Sequence, residues 1–136
     1  MGKNIVEKAV QIIFEKRPDC VLALTDLDGY PKATAKTVVK NDGINTLFFT
    51  TSGHNKKLVE NCNRAGICFF SLEQGYNITL IGKIEVITDP KIRKKMWTKE
   101  CEEFWNGPED ENYCVLKFTT ERYKIFFGEE EIEGKI

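Results

Sequence analysis

Residues 46–70, TLFFTTSGHNKKLVENCNRAGICFF, predict a strand, a polar turn, a short helix and a second strand. Thr46–Thr51 has the β-branched and aromatic content of a strand, Leu58 and Cys62 recur at helical spacing, and Ile67–Phe70 returns to strand composition. The turn places hydroxyl, glycine and lysine residues at the start of the helix, where free backbone N–H groups and the helix dipole favour an anion. The segment therefore predicts a phosphate-binding turn.

The same turn also has an ordinary interpretation. Hydroxyl residues and glycine mark simple turns, and Ser52 or Asn55 would suit a helix cap that binds no ligand. Against this, Lys56 and Lys57 place two cations at a helix N-terminus, where they oppose the macrodipole unless an anion compensates them. On the residues alone, both interpretations stay open.

The composition is that of an ordinary folded chain. Its 136 residues are 41% hydrophobic and 30% charged, and 20 basic against 21 acidic residues leave a net charge of −1. The length suits one domain, residues 1–136, and the charge balance argues against a nucleic-acid partner. No apolar run approaches the length that spans a bilayer, and the N-terminus lacks a signal-peptide core, so a cytoplasmic location without membrane partners is expected.

Apolar patterning predicts a mainly β (α+β) fold. A helical face between Ile5 and Phe14 precedes six or seven strands, and two further helices are inserted between them. Strands are predicted at Cys20–Thr25, Lys32–Lys40, Thr46–Thr51, Gly66–Leu72, Asn77–Thr88, Tyr113–Thr119 and Arg122–Phe127. The acidic residues from Glu129 onward are expected to be loosely held. Because parallel βαβ alternation is absent, a small antiparallel barrel fits this pattern.

Two local signals refine this picture. Gly82, inside the longest predicted strand, indicates a bend, a bulge or a close backbone approach. Pro90 begins the last predicted helix, which ends before the Asn106–Pro108 turn. An apolar stripe on that helix consists of Met96, Trp97, Cys101, Phe104 and Trp105.

Four blocks, in this order, resemble the flavin-binding split-barrel family that includes the pyridoxamine phosphate oxidases and the related bacterial general stress proteins. The blocks are the hairpin Asp28–Pro31, residues 48–66 FFTTSGHNKKLVENCNRAG, residues 77–90 NITLIGKIEVITDP and residues 113–118 YCVLKF. The resemblance implies an antiparallel split β-barrel that forms a homodimer and binds two FMN molecules at the subunit interface.

The resemblance also implies roles for individual residues. Thr50 falls on the strand end that lines the flavin, Lys56 on the lysine that holds its phosphate, and Asn77 where a polar residue lies near the flavin. The small side chains after the hairpin would let a planar ring approach that strand, although without the resemblance it is interpreted as an alternating strand whose alanines face a crowded core. The candidate cofactor-binding residues are Thr34, Ala35, Lys36, Thr50, Thr51, Ser52, Lys56, Lys57 and Asn77.

The chain departs from the family's oxidases in two places. Thr34 stands where they commonly have arginine, with Lys36 and Lys40 nearby but out of register. The C-terminal sequence GEEEIEGKI also lacks the basic residues and histidine that those oxidases use for pyridoxal phosphate. The pattern therefore resembles the general stress protein branch more closely.

These features predict an FMN-binding flavoprotein that passes hydride or electrons from NAD(P)H to an unidentified acceptor. A non-catalytic flavin- or haem-binding protein of the same fold is the alternative, and pyridoxamine phosphate oxidation is the weakest candidate. No catalytic acid or base is identified, since the single histidine, His54, is interpreted as an exposed turn residue and Trp97 and Trp105 as packing residues. The five cysteines form no metal-ligand pattern and are expected to be reduced and mostly buried.

Overall fold

A computed structural model describes residues 2–13 and 19–136, with side chains from residue 5 onward. The helices are α1 Gly2–Gln11, α2 His54–Asn61 and α3 Pro90–Lys95, and a 3₁₀ helix spans Lys99–Glu103. The strands are β1 Asp19–Thr25, β2 Pro31–Thr37, β3 Lys40–Asp42, β4 Thr46–Ser52, β5 Arg64–Ser71, β6 Tyr76–Ile87, β7 Tyr113–Phe127 and β8 Glu130–Lys135.

All eight strands belong to one antiparallel sheet that curls into a split barrel, so the predicted fold class is confirmed. The order is β2-β1-β5-β6-β7-β4-β3, and β8 pairs with the second half of β7, beyond β4. The buried side chains of α1 and α2 join the concave face of this sheet in the main core, and α1 contacts β7 and β8. Phe14, which was predicted to extend the first helix, lies outside the described residues.

The strand count differs from the prediction for identifiable reasons. The predicted strand Lys32–Lys40 is two strands, because β2 pairs with β1 whereas β3 pairs with β4 at the other end of the sheet. The chain crosses between these ends at Val38, which is buried in the core. Conversely, the two predicted C-terminal strands are one strand, β7, because β6 pairs with it on both sides of a bulge.

The expectation of a loosely held acidic tail is wrong. Residues Glu130–Lys135 form β8, and Ile132 packs against the main core. Lys124 on β7 lies 2.8 Å from a carboxylate oxygen of Glu131 and 3.5 Å from one of Glu133. Backbone pairing, one apolar contact and these exposed ion pairs together hold the segment.

The single helix predicted from Pro90 is also wrong. Helix α3 ends at Lys95, and Thr98 begins the separate 3₁₀ helix through reciprocal contacts with Cys101. The apolar stripe nevertheless packs as expected, because a second core cluster forms on the convex side of β4 and β7. Its buried members are Met96, Cys101, Tyr113 and Val115, with Trp97 and Trp105 against them.

Gly82 lies at the bulge between β6 and β7, which confirms the prediction of a close backbone approach. A Cβ at this position would lie 2.0 Å from the carbonyl oxygen of Thr119. Only glycine allows the two strands to approach this closely where the barrel bends. Among the described helices, none has the length and apolar character needed to cross a membrane.

Candidate functional site

A polar cluster in the barrel interior joins β2, β4 and α2. Lys36 Nζ donates a hydrogen bond to Thr51 Oγ1 at 2.7 Å, and Asn55 Nδ2 donates to the same oxygen, also at 2.7 Å. Because β2 and β4 are not neighbours in the sheet, the Lys36–Thr51 bond spans the opening between the two ends of the curled sheet. It therefore links the strand after the first hairpin to the predicted phosphate-binding turn.

This cluster is unusually buried for polar side chains. Thr51 is 3% exposed and Asn55 is 8% exposed. Burial lowers the pKa of Lys36 from its ordinary value of 10.5, and the positive charge of Lys32 lowers it further. The barrel interior thus holds an ammonium group whose main described partner is a neutral hydroxyl, so a bound anion would stabilise its charge.

The N-terminus of α2 lies in the same region, and two of its backbone N–H groups are bonded within the chain, that of Gly53 to the Asn112 carbonyl and that of Lys56 to the Gly53 carbonyl. Gly53 is the N-cap residue, no side chain caps the helix, and the first turn contains no acidic residue. Neither Ser52 nor Asn55 therefore acts as the cap that an ordinary turn would need. Lys56 and Lys57 are exposed on the first turn of α2. Their charges oppose the helix dipole and favour an anion at this position.

Cys114 gives an independent view of the same electrostatics. Burial raises the pKa of its thiol to about 11, and the negative charge of Glu60 adds to that rise, while the positive charges of Arg93, Lys56 and, less strongly, Lys36 oppose it. Cys114 is paired directly with Thr51 across β4 and β7. Cations from β2, α2 and α3 therefore act together on the end of β4.

Strand alternation divides the other predicted site residues between two faces. Thr34 shares the inward face of β2 with Lys36. Ala35 is exposed on the outward face, so the interpretation in which alanine faces a crowded core is wrong. On β4, Thr51 points inward, while Thr50 points outward to Cys101, with 4.0 Å between the thiol sulfur and the hydroxyl oxygen. Ser52 shares the outward face and is exposed. The structure thus brings Lys36 and Thr51 together near the α2 lysines but does not bring the whole predicted set together.

Asn77 lies on the outward face of the sheet, apart from the interior cluster. Its side-chain oxygen accepts a hydrogen bond from Thr79 Oγ1 at 3.1 Å and a weaker one from Cys68 Sγ at 3.6 Å. Ala35, Val21, Cys68 and Thr79 pair in one row across β2, β1, β5 and β6. Ala35 and Asn77 therefore share an outer face, and the sheet separates both from the ammonium of Lys36.

The residues that were interpreted as non-functional have the expected surroundings. His54 is the exposed first residue of α2. Trp97 and Trp105 both pack against Tyr113, with ring centroids 5.0 and 5.2 Å from the tyrosine ring. All five cysteines are free, and three of them are buried.

Asn55 is the residue of the interior cluster that the sequence-based site did not include. In the sequence it belongs to a polar turn, where asparagine is common for reasons of turn geometry. The spacing from Thr51 to Asn55 contained the signal, because the helix begins between them and turns Asn55 back toward the strand end. Its burial is visible only once α2 is docked on the sheet.

Comparison with known proteins supports the fold and the family. The family model described as pyridoxamine 5'-phosphate oxidase matches residues 6–126. Comparison with curated proteins gives no match.

Three solved structures illustrate the likeness. A Clostridium acetobutylicum protein related to general stress protein 26 of B. subtilis has a TM-score of 0.87 at 22% identity, covering 100% of this chain and 97% of that chain. General stress protein 26 of Bacillus anthracis has a TM-score of 0.76 at 20% identity, covering 96% and 99%. The general stress FMN/FAD binding protein of Xanthomonas citri has a TM-score of 0.75 at 21% identity, covering 98% and 96%. With the match of the family model across most of its length, the chain belongs to the pyridoxamine 5'-phosphate oxidase family.

Proposed function

We propose that this protein is an FMN-binding oxidoreductase of the general stress protein branch, which passes hydride or electrons from NAD(P)H to an acceptor. The observation that carries the proposal is the cationic cluster at the uncapped start of α2, where Lys36 reaches across the barrel opening to Thr51. A flavin is supported by the relative from Xanthomonas citri, which is described as an FMN/FAD binding protein. The family match supports the same class of cofactor.

The interior cluster suits a phosphate dianion. Lys56 and Lys57 would provide charge-assisted hydrogen bonds at the surface, and the backbone N–H groups of His54 and Asn55 would add neutral donors. Lys36 would exchange or share its bond to Thr51 with a phosphate oxygen and regain the charge stabilisation that burial removes. Asn55 would keep Thr51 in position, because its amide holds the same hydroxyl oxygen.

When bound, FMN would supply the redox chemistry, and the protein would supply binding and orientation. The inward cluster would fix the phosphate end. The exposed small side chains of Ala33 and Ala35 would allow a planar ring to approach the outward backbone of β2. The apolar cluster behind Thr50 would keep water from the convex side of β4. No side chain needs to act as a nucleophile in this arrangement.

A second copy of the chain would complete the site. The outward face of β2, β1 and β5 is built from small residues, and no element among the described residues covers it; these residues are Ala33, Ala35, Val21, Ala23, Gly66 and Cys68. A face of small side chains suits close packing of another sheet, and Phe70 at its edge is 51% exposed. Because the sheet separates Asn77 from Lys36, Asn77 would contact the flavin whose phosphate is bound by the partner subunit. We therefore propose a homodimer with flavin at the interface.

Replacement of both Lys56 and Lys57 by alanine tests the phosphate assignment. This variant should weaken FMN binding by about a hundredfold, because two charge-assisted contacts are lost, but weaken riboflavin binding much less. The measurement is a fluorescence titration of each ligand into the same protein. Replacement of Lys91 and Lys94 by alanine is the matched control, since both lie on α3 and line a different depression. Equal losses for FMN and riboflavin would overturn the assignment.

Anaerobic reduction by NADH or NADPH tests the activity itself. Bleaching of the bound flavin absorbance by either donor is expected for an oxidoreductase. Retention of FMN without reduction by either donor would instead favour the non-catalytic binding protein.

The five free thiols agree with a cytoplasmic site of action.

A further inference from the structure

A groove on the outward face of the sheet collects positive charge far from the phosphate cluster. It has a volume of about 670 Å³ and lies where β5, β6, β7 and β8 meet around the bulge. Four exposed cations line it, namely Arg64, Lys83, Arg122 and Lys135, together with the acidic side chain of Glu121 and the last residue of the sequence, Ile136. Counted over side chains alone, the lining of the groove carries an excess of three positive charges, in a chain whose net charge is −1.

The strand register brings these cations together in like-charge pairs. Arg64 lies directly opposite Lys83 on β5 and β6. Arg122 lies directly opposite Lys135 on β7 and β8. Like charges in direct cross-strand register destabilise a sheet, so two such pairs around one groove favour the binding of an anion there.

The described part of the chain does not supply that compensation. None of the four cations has a carboxylate oxygen within 4.0 Å among the described residues. Lys124, two residues from Arg122 on the same face, shows the contrast, because it contacts both Glu131 and Glu133. Acidic partners are thus placed for Lys124 on β8 but not for the groove.

The groove continues along the outward face to Asn77. A neighbouring cavity of about 540 Å³ shares Ile81, Arg122 and Lys135 with it, and this cavity reaches Thr79. A third cavity, of about 320 Å³, shares Thr79 and Lys124 with the second and ends at Asn77. Glu133 lines the second cavity and Glu131 the third, and both carboxylates are paired with Lys124. From residue 77 to residue 83, β6 extends roughly 20 Å, so one trough runs from the proposed flavin contact to the cations.

We propose that this groove binds the phosphate groups of the nicotinamide dinucleotide donor, and that its charge selects NADPH over NADH. The dinucleotide lies along the trough with its adenosine phosphates on Arg64, Lys83, Arg122 and Lys135 and its nicotinamide toward Asn77. The inference rests on the proposed function for the identity of the donor. The 2'-phosphate that distinguishes NADPH adds charge where the groove has an unbalanced positive excess.

Adenosine 2',5'-bisphosphate, the adenosine half of NADPH with its 2'-phosphate, tests the site without any flavin chemistry. It is titrated by calorimetry into the full chain with and without FMN, in parallel with adenosine 5'-monophosphate. The bisphosphate should bind at least about tenfold more tightly than the monophosphate, and more weakly as salt is raised, because its additional phosphate contacts are charge-assisted.

Two double variants locate the binding. Each double variant should weaken binding of the bisphosphate by about tenfold or more. One combines Arg122→Gln with Lys135→Gln, and the other combines Arg64→Gln with Lys83→Gln. Replacing Lys91 and Lys94 with Gln removes the same charge elsewhere and should leave affinity within about twofold. Neither groove variant should lower thermal stability, because each relieves a like-charge pair, so loss of binding is separable from loss of fold.

The outcomes distinguish this inference from the proposed function. Preserved FMN binding in both groove variants, together with a reduced preference for NADPH over NADH in flavin reduction, supports the donor site. The inference is overturned, whether or not FMN binds, if the bisphosphate binds no more tightly than the monophosphate. It is also overturned if the α3 control variant reduces affinity for the bisphosphate as much as the groove variants do. Failure of FMN binding alone would contradict the proposed function and leave the phosphate titration intact.

Discussion

Replacing Gly82 with alanine should remove a large part of the protein's stability. The added Cβ would lie 2.0 Å from the carbonyl oxygen of Thr119, 2.9 Å from its carbonyl carbon and 3.0 Å from the Cα of Thr120. All three are backbone atoms, so no rotation of a side chain relieves the clash. Because ordinary contact begins near 3.4 Å, β7 would have to retreat by about 1.4 Å at the bulge.

The cost of that movement can be built from its parts. A displacement of this size stretches the flanking ladder hydrogen bonds beyond about 3.2 Å, where they no longer form. Two such bonds contribute about 1 kcal/mol each, and overpacking adds about 1 to 3 kcal/mol. The expected loss is about 3 to 5 kcal/mol, compared with a total stability of about 5 to 15 kcal/mol for an ordinary domain.

Urea unfolding followed by the fluorescence of Trp97 and Trp105 measures this loss, since both rings pack in the cluster beside β7. Gly107→Ala is the control. A Cβ at residue 107 has no atom within 4 Å and φ there is not positive, so its effect should stay within about 0.5 kcal/mol. If the free energy of unfolding of Gly82→Ala lay within about 1 kcal/mol of that of the unaltered protein, the argument from close strand approach would be refuted.

Two predictions concern the cysteines. Cys62 should be the first thiol to react with a disulfide reagent at neutral pH. It is partly exposed, and hydrogen bonds from the Arg64 backbone and the Thr25 hydroxyl lower its pKa. The variant Cys62→Ser should therefore lack the fast phase of the thiol titration. Alkaline pH should destabilise the fold, because burial raises the pKa of Cys20 to about 12 and that of Cys114 to about 11, both from 9.0. The protonated thiols stabilise the fold fully below pH 9.0, and this stabilisation is lost as the pH rises toward the pKa values of the folded state. In Cys114→Ala the free energy of unfolding should therefore decrease less steeply with pH over that range.

The sequence predicts most of the fold because the strands carry clear local signals. The alternation in β6, the turn before β2 and the short helix after β4 depend on neighbours in the chain, and all three occur. The errors arise where long-range pairing decides the outcome. Val38 belongs to a continuous β-rich run, yet the chain leaves one end of the sheet there and joins the other.

The acidic C-terminal segment also owes its structure to long-range pairing, but here the local sequence indicates no strand. Its composition favours a solvated tail, since four glutamates occur between Glu129 and Glu133. It becomes a strand because β7 presents a free edge beyond the end of β4, and because Lys124 is placed between two of those glutamates. Neither the free edge nor the position of Lys124 is local information.

Alternation along β2 also determines how the site itself is divided. Lys36 and Ala35 are adjacent in sequence and were assigned to one flavin, but successive side chains of a strand point to opposite faces. The inward residue suits a phosphate in the barrel opening, and the outward residue suits a ring or a partner sheet. A ligand that uses both must pass around the free edge of β2 rather than through the sheet. If Lys36 binds the phosphate of a flavin, that edge is where the flavin leaves the barrel, and a copy of the chain packed on the outer face would then enclose its ring.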